Sequence, residues 1–261
     1  MRTTDSPFAG LCRRWRRQRH LSQQALAEAA AISQRHLSWL ESGRSQPSRS
    51  MVQRLAEALD IPLRERNQLL QAAGFAPLYR ESSLDEPLMA AVRSALQRIL
   101  THHQPYPALV MDRQWNWVMG NPAAEQLLKL AGVDAELASL NIAEATFRED
   151  GLLRYIRNRE IALPMLAHRL RSEAEASGNT AAMAQVENLS RQARAWGAAE
   201  TADTAPLLPV LPLELDFEGL QLSLFTVLST FGTPQDVTTD ELRIESFYPA
   251  NQATADFFEG L

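Results

Sequence analysis

A chain of 261 residues, 45% hydrophobic and 22% charged, is long enough to form two globular domains with separate cores. Its single cysteine, Cys12, excludes an intramolecular disulfide and argues against a cysteine-based zinc site. No apolar run approaches the roughly 18 residues that a membrane-spanning helix needs, and the N-terminus has no apolar signal segment. We therefore expect an intracellular, cytoplasmic protein with no membrane partner.

The charge is distributed unevenly along the chain. Residues 1–80 contain 13 arginines and 6 acidic residues, a formal charge of +7, whereas the remainder carries 13 basic and 25 acidic residues, a formal charge of −12. A basic module followed by an acidic one is typical of a protein whose first part contacts nucleic acid, although the net charge of −5 conceals it.

The first 75 residues or so predict five helices. The first, at 8–19, has an apolar inner face and five arginines elsewhere on its surface. We expect part of this cluster to contact phosphates, the alternative being a solvated basic face. Ser22 and Ser33 are suitable N-caps for two short helices separated by about three residues, the connection of a helix-turn-helix. Helices at 50–59 and 62–73 complete the module.

An ordered set of residues runs through this helix-turn-helix segment: Leu21-Ser22-Gln23, Leu26-Ala27, Ile32-Ser33-Gln34, Leu37-Ser38-Trp39-Leu40-Glu41-Ser42-Gly43-Arg44 and Pro47-Ser48. The set resembles the lambda-repressor-like (XRE) DNA-binding domain, an all-α module of five helices. One departure is Ala31, where the family usually has glycine. If the turn needs a positive φ, alanine there carries a strain of roughly 1 kcal/mol.

The second helix of the motif buries Leu37 and Leu40 and turns other side chains outward. Glutamine suits adenine N6/N7 and arginine suits guanine O6/N7, so this face is predicted to contact bases. For His36 and Trp39 the alternative is packing at the edge of the core or on a neighbouring helix. The predicted base-contacting residues are Gln34, Arg35, His36, Ser38 and Trp39.

Phosphate contacts are expected around the same motif, because helix N-termini and arginines favour anions. The resemblance implies that Arg16 pairs with Glu41 while remaining able to touch phosphate, and that Arg44 is a phosphate ligand. The predicted phosphate-contacting residues are Arg16, Ser22, Gln23, Ser33 and Arg44.

These patterns predict three regions: a helix-turn-helix domain at 1–80, a linker with a connecting helix at 81–106, and a second domain at 107–261. The second domain has an α+β order. Its predicted elements are strands at 108–111 and 115–119, helices at 121–131, 141–147, 151–176 and 180–196, a loop at 197–206, strands at 211–217 and 220–228, and a last strand before Pro249 that is marked by Leu242 and Ile244.

The order of strand hairpin, helices and three further strands resembles a PAS-like domain, in which an antiparallel sheet with helices over one face encloses an apolar cavity. Residues 107–124 resemble the start of the ligand-binding domain of MmyB-like transcription regulators, which also place a lambda-repressor-like domain first. The resemblance implies a fatty-acyl-like ligand. Candidate pocket residues, each with ordinary sheet core as the alternative, are Trp115, Trp117, Met119, Leu222, Leu224, Phe225 and Phe247.

Three arginines close together, Arg154, Arg157 and Arg159, suggest either a carboxylate site or a solvated helix face. Catalytic motifs are missing from the sequence: it contains no Gly-rich phosphate loop, no CxxC, no HExxH and no GxSxG, and its five histidines have no metal-ligand spacing. We therefore expect neither an enzyme nor a metal or cofactor site.

The sequence as a whole predicts a sequence-specific, DNA-binding transcription regulator. One such module contacts few base pairs, so we expect a homodimer on double-stranded DNA. The second domain is expected to sense a small apolar, fatty-acyl-like ligand. The alternative is a ligand-free dimerisation or protein-partner module. An enclosed apolar cavity would favour the ligand, whereas an open edge strand would favour a partner.

Overall fold

The computed structural model describes residues 6–133, 136–195, 209–210 and 212–260. Contacts divide the chain into two compact units. The first unit comprises Met1–Ser82 and Thr233–Asp240, and the second comprises Ser83–Gly232 and Glu241–Leu261.

The described residues form α-helices and one five-stranded sheet, with short 3₁₀ turns at Pro87–Met89, Leu137–Ser139 and Leu152–Tyr155. The helices are α1 (Pro7–Gln18), α2 (Gln23–Ala29), α3 (Gln34–Glu41), α4 (Arg49–Ala58), α5 (Leu63–Ala72), α6 (Ala90–His102), α7 (Pro122–Leu130), α8 (Ile142–Phe147), α9 (Arg159–Ser177), α10 (Thr180–Ala195), α11 (Val237–Glu241) and α12 (Gln252–Glu259). The strands are β1 (Ala108–Met111), β2 (Trp117–Gly120), β3 (Leu213–Phe217), β4 (Leu220–Ser229) and β5 (Arg243–Pro249).

Helices α1 to α5 of the first unit enclose a core that includes Phe8, Trp15, Leu26, Leu37 and Leu55. Serine side chains fix where three of these helices begin. The Oγ atoms of the residues preceding α2, α3 and α4 each accept a hydrogen bond from the backbone three residues later, at 3.0 to 3.2 Å. Each bond satisfies an amide that the helix start leaves unpaired.

The turn between α2 and α3 closes on a residue in the left-handed conformation. Ala31 has a φ of 52°. Its N–H donates to the Glu28 carbonyl, and the N–H of Ile32 donates to the Ala27 carbonyl at 2.9 Å, the paired bonds of a Schellman motif. Ala31 therefore has the positive φ at which an alanine is expected to be strained.

Residues 233–240, here called the capping strap, belong to the first unit although they lie far along the chain. The carboxylate of Asp240 accepts a hydrogen bond from the Leu63 N–H at 3.0 Å, at the start of α5. Pro62 precedes this helix and makes no side-chain cap. Asp236 accepts from the Ser82 hydroxyl at 2.8 Å. This grouping differs from the prediction, in which all of residues 107–261 form the second domain.

The sheet of the second unit has the order β2-β1-β5-β4-β3, and every neighbouring pair is antiparallel. Side chains alternate between its faces. Leu109 and Met111 of β1 join a core cluster with α7 to α10, whereas Ala108 and Val110 join a second cluster with Leu96 and Leu100 of α6. The predicted fold class, an all-α domain followed by an α+β domain with an antiparallel sheet, is confirmed.

Local details of the second unit differ from the predictions. Instead of one helix at 151–176, a 3₁₀ turn precedes α9, because the chain at 156–158 pairs with β3. Strand β2 begins at Trp117 instead of residue 115, because Trp115 adopts a φ of 63° in the preceding turn. Helix α12 was not predicted, and neither was α11, which begins within the capping strap of the first unit. The loop at 197–206 and the first residue of the strand predicted at 211–217 lie outside the described residues.

Candidate DNA-binding surface and apolar cavity

Helix α3 presents the predicted base-contacting residues together on one side. Leu37 and Leu40 are buried in the core of the first unit. The predicted residues form the remaining surface of the helix: Gln34, Arg35 and Trp39 are exposed, and His36 and Ser38 are half-buried. The structure therefore brings all five onto one short helix, and their contacts with bases stay a prediction.

Trp39 supports Arg35 instead of entering the core. The Arg35 guanidinium carbon lies 4.7 Å from the centre of the Trp39 ring, one helical turn away. Trp39 remains 38% exposed. A cation over an aromatic face is attracted by the ring quadrupole. This contact limits the orientations of the guanidinium and presents it on the outer surface of α3.

A buried carboxylate joins the helices of the motif. Glu41, only 2% exposed, accepts hydrogen bonds from Arg16 Nε at 2.7 Å and Arg16 Nη2 at 2.9 Å. It also accepts from Gln23 Nε2 at 2.8 Å. The hydrogen bonds and charge of Glu41 raise the pKa of Arg16 above its ordinary value. The Arg16–Glu41 pair that the resemblance implied is thus present.

The two residues bonded to Glu41 have little freedom to reach a phosphate. Arg16 donates its remaining terminal nitrogen, Nη1, to the Leu21 carbonyl at 2.9 Å, and its side chain is 13% exposed. Gln23 is half-buried and holds the start of α2 against the end of α3. Both side chains therefore fix the relative position of the three helices, and their predicted phosphate contacts remain predictions.

The other predicted phosphate-contacting residues are exposed. Ser22 and Ser33 stand at the N-termini of α2 and α3, where their hydroxyls cap the helices. Arg44 follows Gly43, whose φ of 70° ends α3. The backbone N–H of Arg44 donates to the Trp39 carbonyl at 2.9 Å, which fixes where its side chain leaves the motif. An exposed arginine at this position suits a phosphate contact.

The second unit contains an apolar cavity of about 280 Å³. It lies between the β1, β4 and β5 face of the sheet and helices α7, α8 and α9. Its lining is almost entirely aliphatic and aromatic: Pro107, Leu109, Ala124, Leu127, Leu128, Val133, Ile142, Ala145, Thr146, Leu152, Ala162, Met165, Leu166, Arg169, Pro212, Leu213, Leu224, Phe225, Thr226, Glu245 and Phe247.

Three of the seven predicted pocket residues, Leu224, Phe225 and Phe247, line this cavity, and the other four do not. Trp115, Trp117 and Leu222 are packed in the main core. The Trp115 indole donates to Glu173 at 2.7 Å, and the Trp117 ring lies against Gly120. Met119 packs with the cluster on the opposite face of the sheet. These four residues are therefore packed as ordinary core residues, which was the alternative to a pocket position.

One wall of the cavity is charged. Arg169 of α9 donates from Nη1 to Glu245 Oε1 of β5 at 2.7 Å, and Glu245 is 4% exposed. Neither residue was among the predicted site residues, and the three arginines that were, Arg154, Arg157 and Arg159, do not line the cavity. Glu245 itself could have indicated this charged wall, because its carboxylate lies on the strand face that also carries Phe247. A charge at such a position needs a partner.

Among the residues that the structure describes, no helix is long and apolar enough to cross a membrane. Nor does any group of three or more histidine, cysteine, aspartate or glutamate side chains among them have an arrangement that could hold a metal ion.

Two family models match the chain. A helix-turn-helix domain matches residues 8–69, and the MmyB-like transcription regulator ligand binding domain matches residues 92–261. The chain belongs to the MmyB-like transcription regulators. The resemblance at residues 21–48 and 107–124 is thereby confirmed, and this MmyB-like regulator combines a DNA-binding domain with a ligand-binding domain. The chain matches no curated protein.

Proposed function

We propose that this MmyB-like regulator binds its DNA site as a homodimer and that its second domain senses a small apolar, fatty-acyl-like ligand. The observation that carries the ligand proposal is the cavity of about 280 Å³ behind the sheet. Ligand sites in proteins are typically apolar clefts of about 300–1,000 Å³ with few polar groups, and this cavity of about 280 Å³ lies just below that range.

The cavity is partly open to solvent, so water can enter it in the absence of a ligand. Removing apolar surface from water stabilises by about 25 cal/mol per Å². An apolar chain that displaced this water would bury its own surface and that of the lining residues, which supports an apolar ligand.

The edges of the sheet do not favour strand addition by a protein partner. At the β2 edge, the Trp117 N–H donates to the Leu140 carbonyl at 2.8 Å. At the β3 edge, Glu214 donates its N–H to the Asn158 side chain at 3.1 Å and accepts from the Arg157 N–H at 2.8 Å. The chain itself thus covers part of both edges, which weighs against the partner-module alternative.

The size of the recognition element supports the proposed dimer. Helix α3 has 8 residues, which span about 12 Å and reach only a few base pairs. Two copies related by a two-fold axis would contact two half-sites about one turn of DNA apart and double the number of bases contacted.

Native mass spectrometry of the full-length protein, before and after organic extraction, tests both parts. We expect a dimer that carries a few hundred daltons of extractable apolar mass. Leu128→Trp places a larger side chain in the cavity and should abolish the added mass. Lys129→Trp is the matched control, because the neighbouring residue is exposed and does not line the cavity.

The outcomes separate the two claims. A dimer without added mass, for wild type and both variants, would contradict ligand binding and leave the dimer standing. A monomer would contradict the dimer. Added mass that Leu128→Trp leaves unchanged would place the ligand outside this cavity.

A further inference from the structure

Arg35 and Trp39 form an exposed pair on the outer surface of α3. The guanidinium carbon of Arg35 lies 4.7 Å from the centre of the Trp39 ring. Among the residues that the structure describes in the first unit, Trp39 is the only exposed phenylalanine, tyrosine or tryptophan. Tryptophan is enriched where proteins meet a partner, so the ring as well as the cation is placed for contact with DNA.

Two other arginines of the first unit also lie over aromatic rings, but both donate hydrogen bonds within the protein. Arg19 lies over Trp15 and donates to two backbone carbonyls. Arg66 lies over Tyr79 and donates to one. Arg35, by contrast, makes no hydrogen bond or ion pair with any residue that the structure describes. Its N–H groups are therefore held in place by a ring while no protein acceptor in the described part of the chain occupies them.

The hydrogen-bonding groups of the Arg35 side chain are all donors. A guanidinium donates from its N–H groups and cannot accept. In the major groove, guanine presents two acceptors, O6 and N7, whereas adenine and thymine each present one and cytosine presents only a donor. Arg35 can therefore form two hydrogen bonds with a guanine and at most one with any other base.

The stacked ring of Trp39 reaches the level of a neighbouring base pair. A guanidinium that donates two bonds to one guanine lies in the plane of that base, so its two faces point along the DNA axis. Trp39 covers one of these faces, and successive base pairs are about 3.4 Å apart. The indole therefore lies beside the next base pair, where the apolar group in the major groove is the C5-methyl of thymine.

We propose that Arg35 and Trp39 together recognise a step of two base pairs: a guanine and, directly beside it, a base pair that contains thymine. This step is part of the DNA site that the protein is proposed to bind, so the inference rests on that proposed function. Arg35 donates to guanine O6 and N7, and the Trp39 ring contacts the thymine methyl group. Trp39 thus determines specificity itself, in addition to supporting Arg35.

Selection from a random library of DNA duplexes by the full-length protein, wild type and Arg35→Ala, identifies this step. The guanine that Arg35 contacts is the position at which the variant loses the preference. We expect thymine to be enriched in a base pair directly beside it. If no sequence is enriched, the proposed binding of a DNA site and this inference both fail. If a site is enriched but no guanine in it depends on Arg35, or no neighbouring pair favours thymine, only this inference fails.

Replacement of that thymine by uracil removes only the methyl group and leaves every hydrogen-bonding atom in place. Burial of one methyl group contributes a factor of about four in affinity, equivalent to roughly 0.8 kcal/mol. We therefore expect the Kd, measured by fluorescence anisotropy, to rise about fourfold for each such thymine replaced. Uracil in the flanking DNA is the matched control and should have no effect. An unchanged Kd for uracil within the step would overturn the inference.

Trp39→Ala tests whether the ring makes the methyl contact. This variant should bind thymine and uracil equally, and its guanine preference should weaken because Arg35 loses its support. Leu78→Ala is the matched control and should leave both preferences unchanged, since Leu78 is another exposed apolar residue of the first unit and lies outside the helix-turn-helix. A fourfold loss on uracil that persists in Trp39→Ala would refute the role of Trp39. If that variant does not fold, the uracil comparison with the wild-type protein decides.

Discussion

The turn of the helix-turn-helix motif offers a quantitative test of backbone strain. Ala31 is exposed and has a φ of 52°, so its methyl group packs in no core while its backbone occupies the left-handed region. That region costs an alanine about 1–2 kcal/mol. Glycine removes this cost but loses about 0.4–1 kcal/mol more in chain entropy on folding. Ala31→Gly should therefore raise the free energy of unfolding of the first unit by about 1 kcal/mol.

Cys12 makes this change measurable in the full-length protein. It is the only cysteine in the sequence and lies fully buried in the core of the first unit. Burial raises the pKa of its thiol to about 12. Since the thiolate is the reactive form, an alkylating reagent at pH 8 labels Cys12 only when the unit opens. The labelled fraction across a urea series then gives the free energy of unfolding of this unit alone.

The matched control is Ala29→Gly. Ala29 is also exposed but lies within α2, where φ is negative and glycine brings only its entropy cost. We expect this variant to be less stable by about 0.5–1 kcal/mol. Two glycine substitutions two residues apart should thus shift the urea midpoint in opposite directions. A midpoint for Ala31→Gly at or below that of wild type would refute the argument that the turn is strained.

Three further substitutions test the site and the sheet. Arg35→Ala should weaken binding to the cognate site by about 1–3 kcal/mol and relax the preference at one base. Gel shift with single-base variants of the site measures both effects. An unchanged affinity and footprint would show that Arg35 does not contact a base. Arg44→Ala should weaken binding to all sequences and flatten the salt dependence, and a base-selective effect would contradict a phosphate contact. Asn121 is 2% exposed and makes four hydrogen bonds. Asn121→Ala should therefore lower the free energy of unfolding by about 3 kcal/mol or more. Ser33→Ala, which removes an exposed helix cap, should lower it by only about 1 kcal/mol. Urea denaturation followed by circular dichroism compares the last two, and equal losses would show that the buried hydrogen bonds add nothing beyond a helix cap.

The first unit was predictable because its signals are short-range. A serine cap and the amide that it serves are three residues apart, and the turn at Ala31 is closed by bonds within one helical turn. Such pairs are visible in the sequence without knowledge of the fold. The predicted bounds of the five helices accordingly lie within about one residue of the observed ones.

The capping strap could not be predicted in the same way. Asp240 serves the N-terminus of α5, but 177 residues separate it from the amide of Leu63. A carboxylate near a helix N-terminus is a common stabilising arrangement. Any of the chain's many acidic residues could cap a helix in this way, so the local sequence pattern does not identify which of them caps α5.

The cavity shows a similar limit and one usable signal. Alternation along a strand predicts which residues share a face, but it does not predict where the covering helices leave a void. Trp115 and Trp117 were therefore predicted to line a pocket, although both lie in the core. The partner of Glu245 is 76 residues away on α9 and is invisible to periodicity. Glu245 itself was visible, because it stands on the same strand face as Phe247. A carboxylate buried among apolar residues is unfavourable unless a cation or a hydrogen-bonding ligand meets it. A glutamate at an inward strand position therefore predicts a polar partner at that point, and here that partner is Arg169.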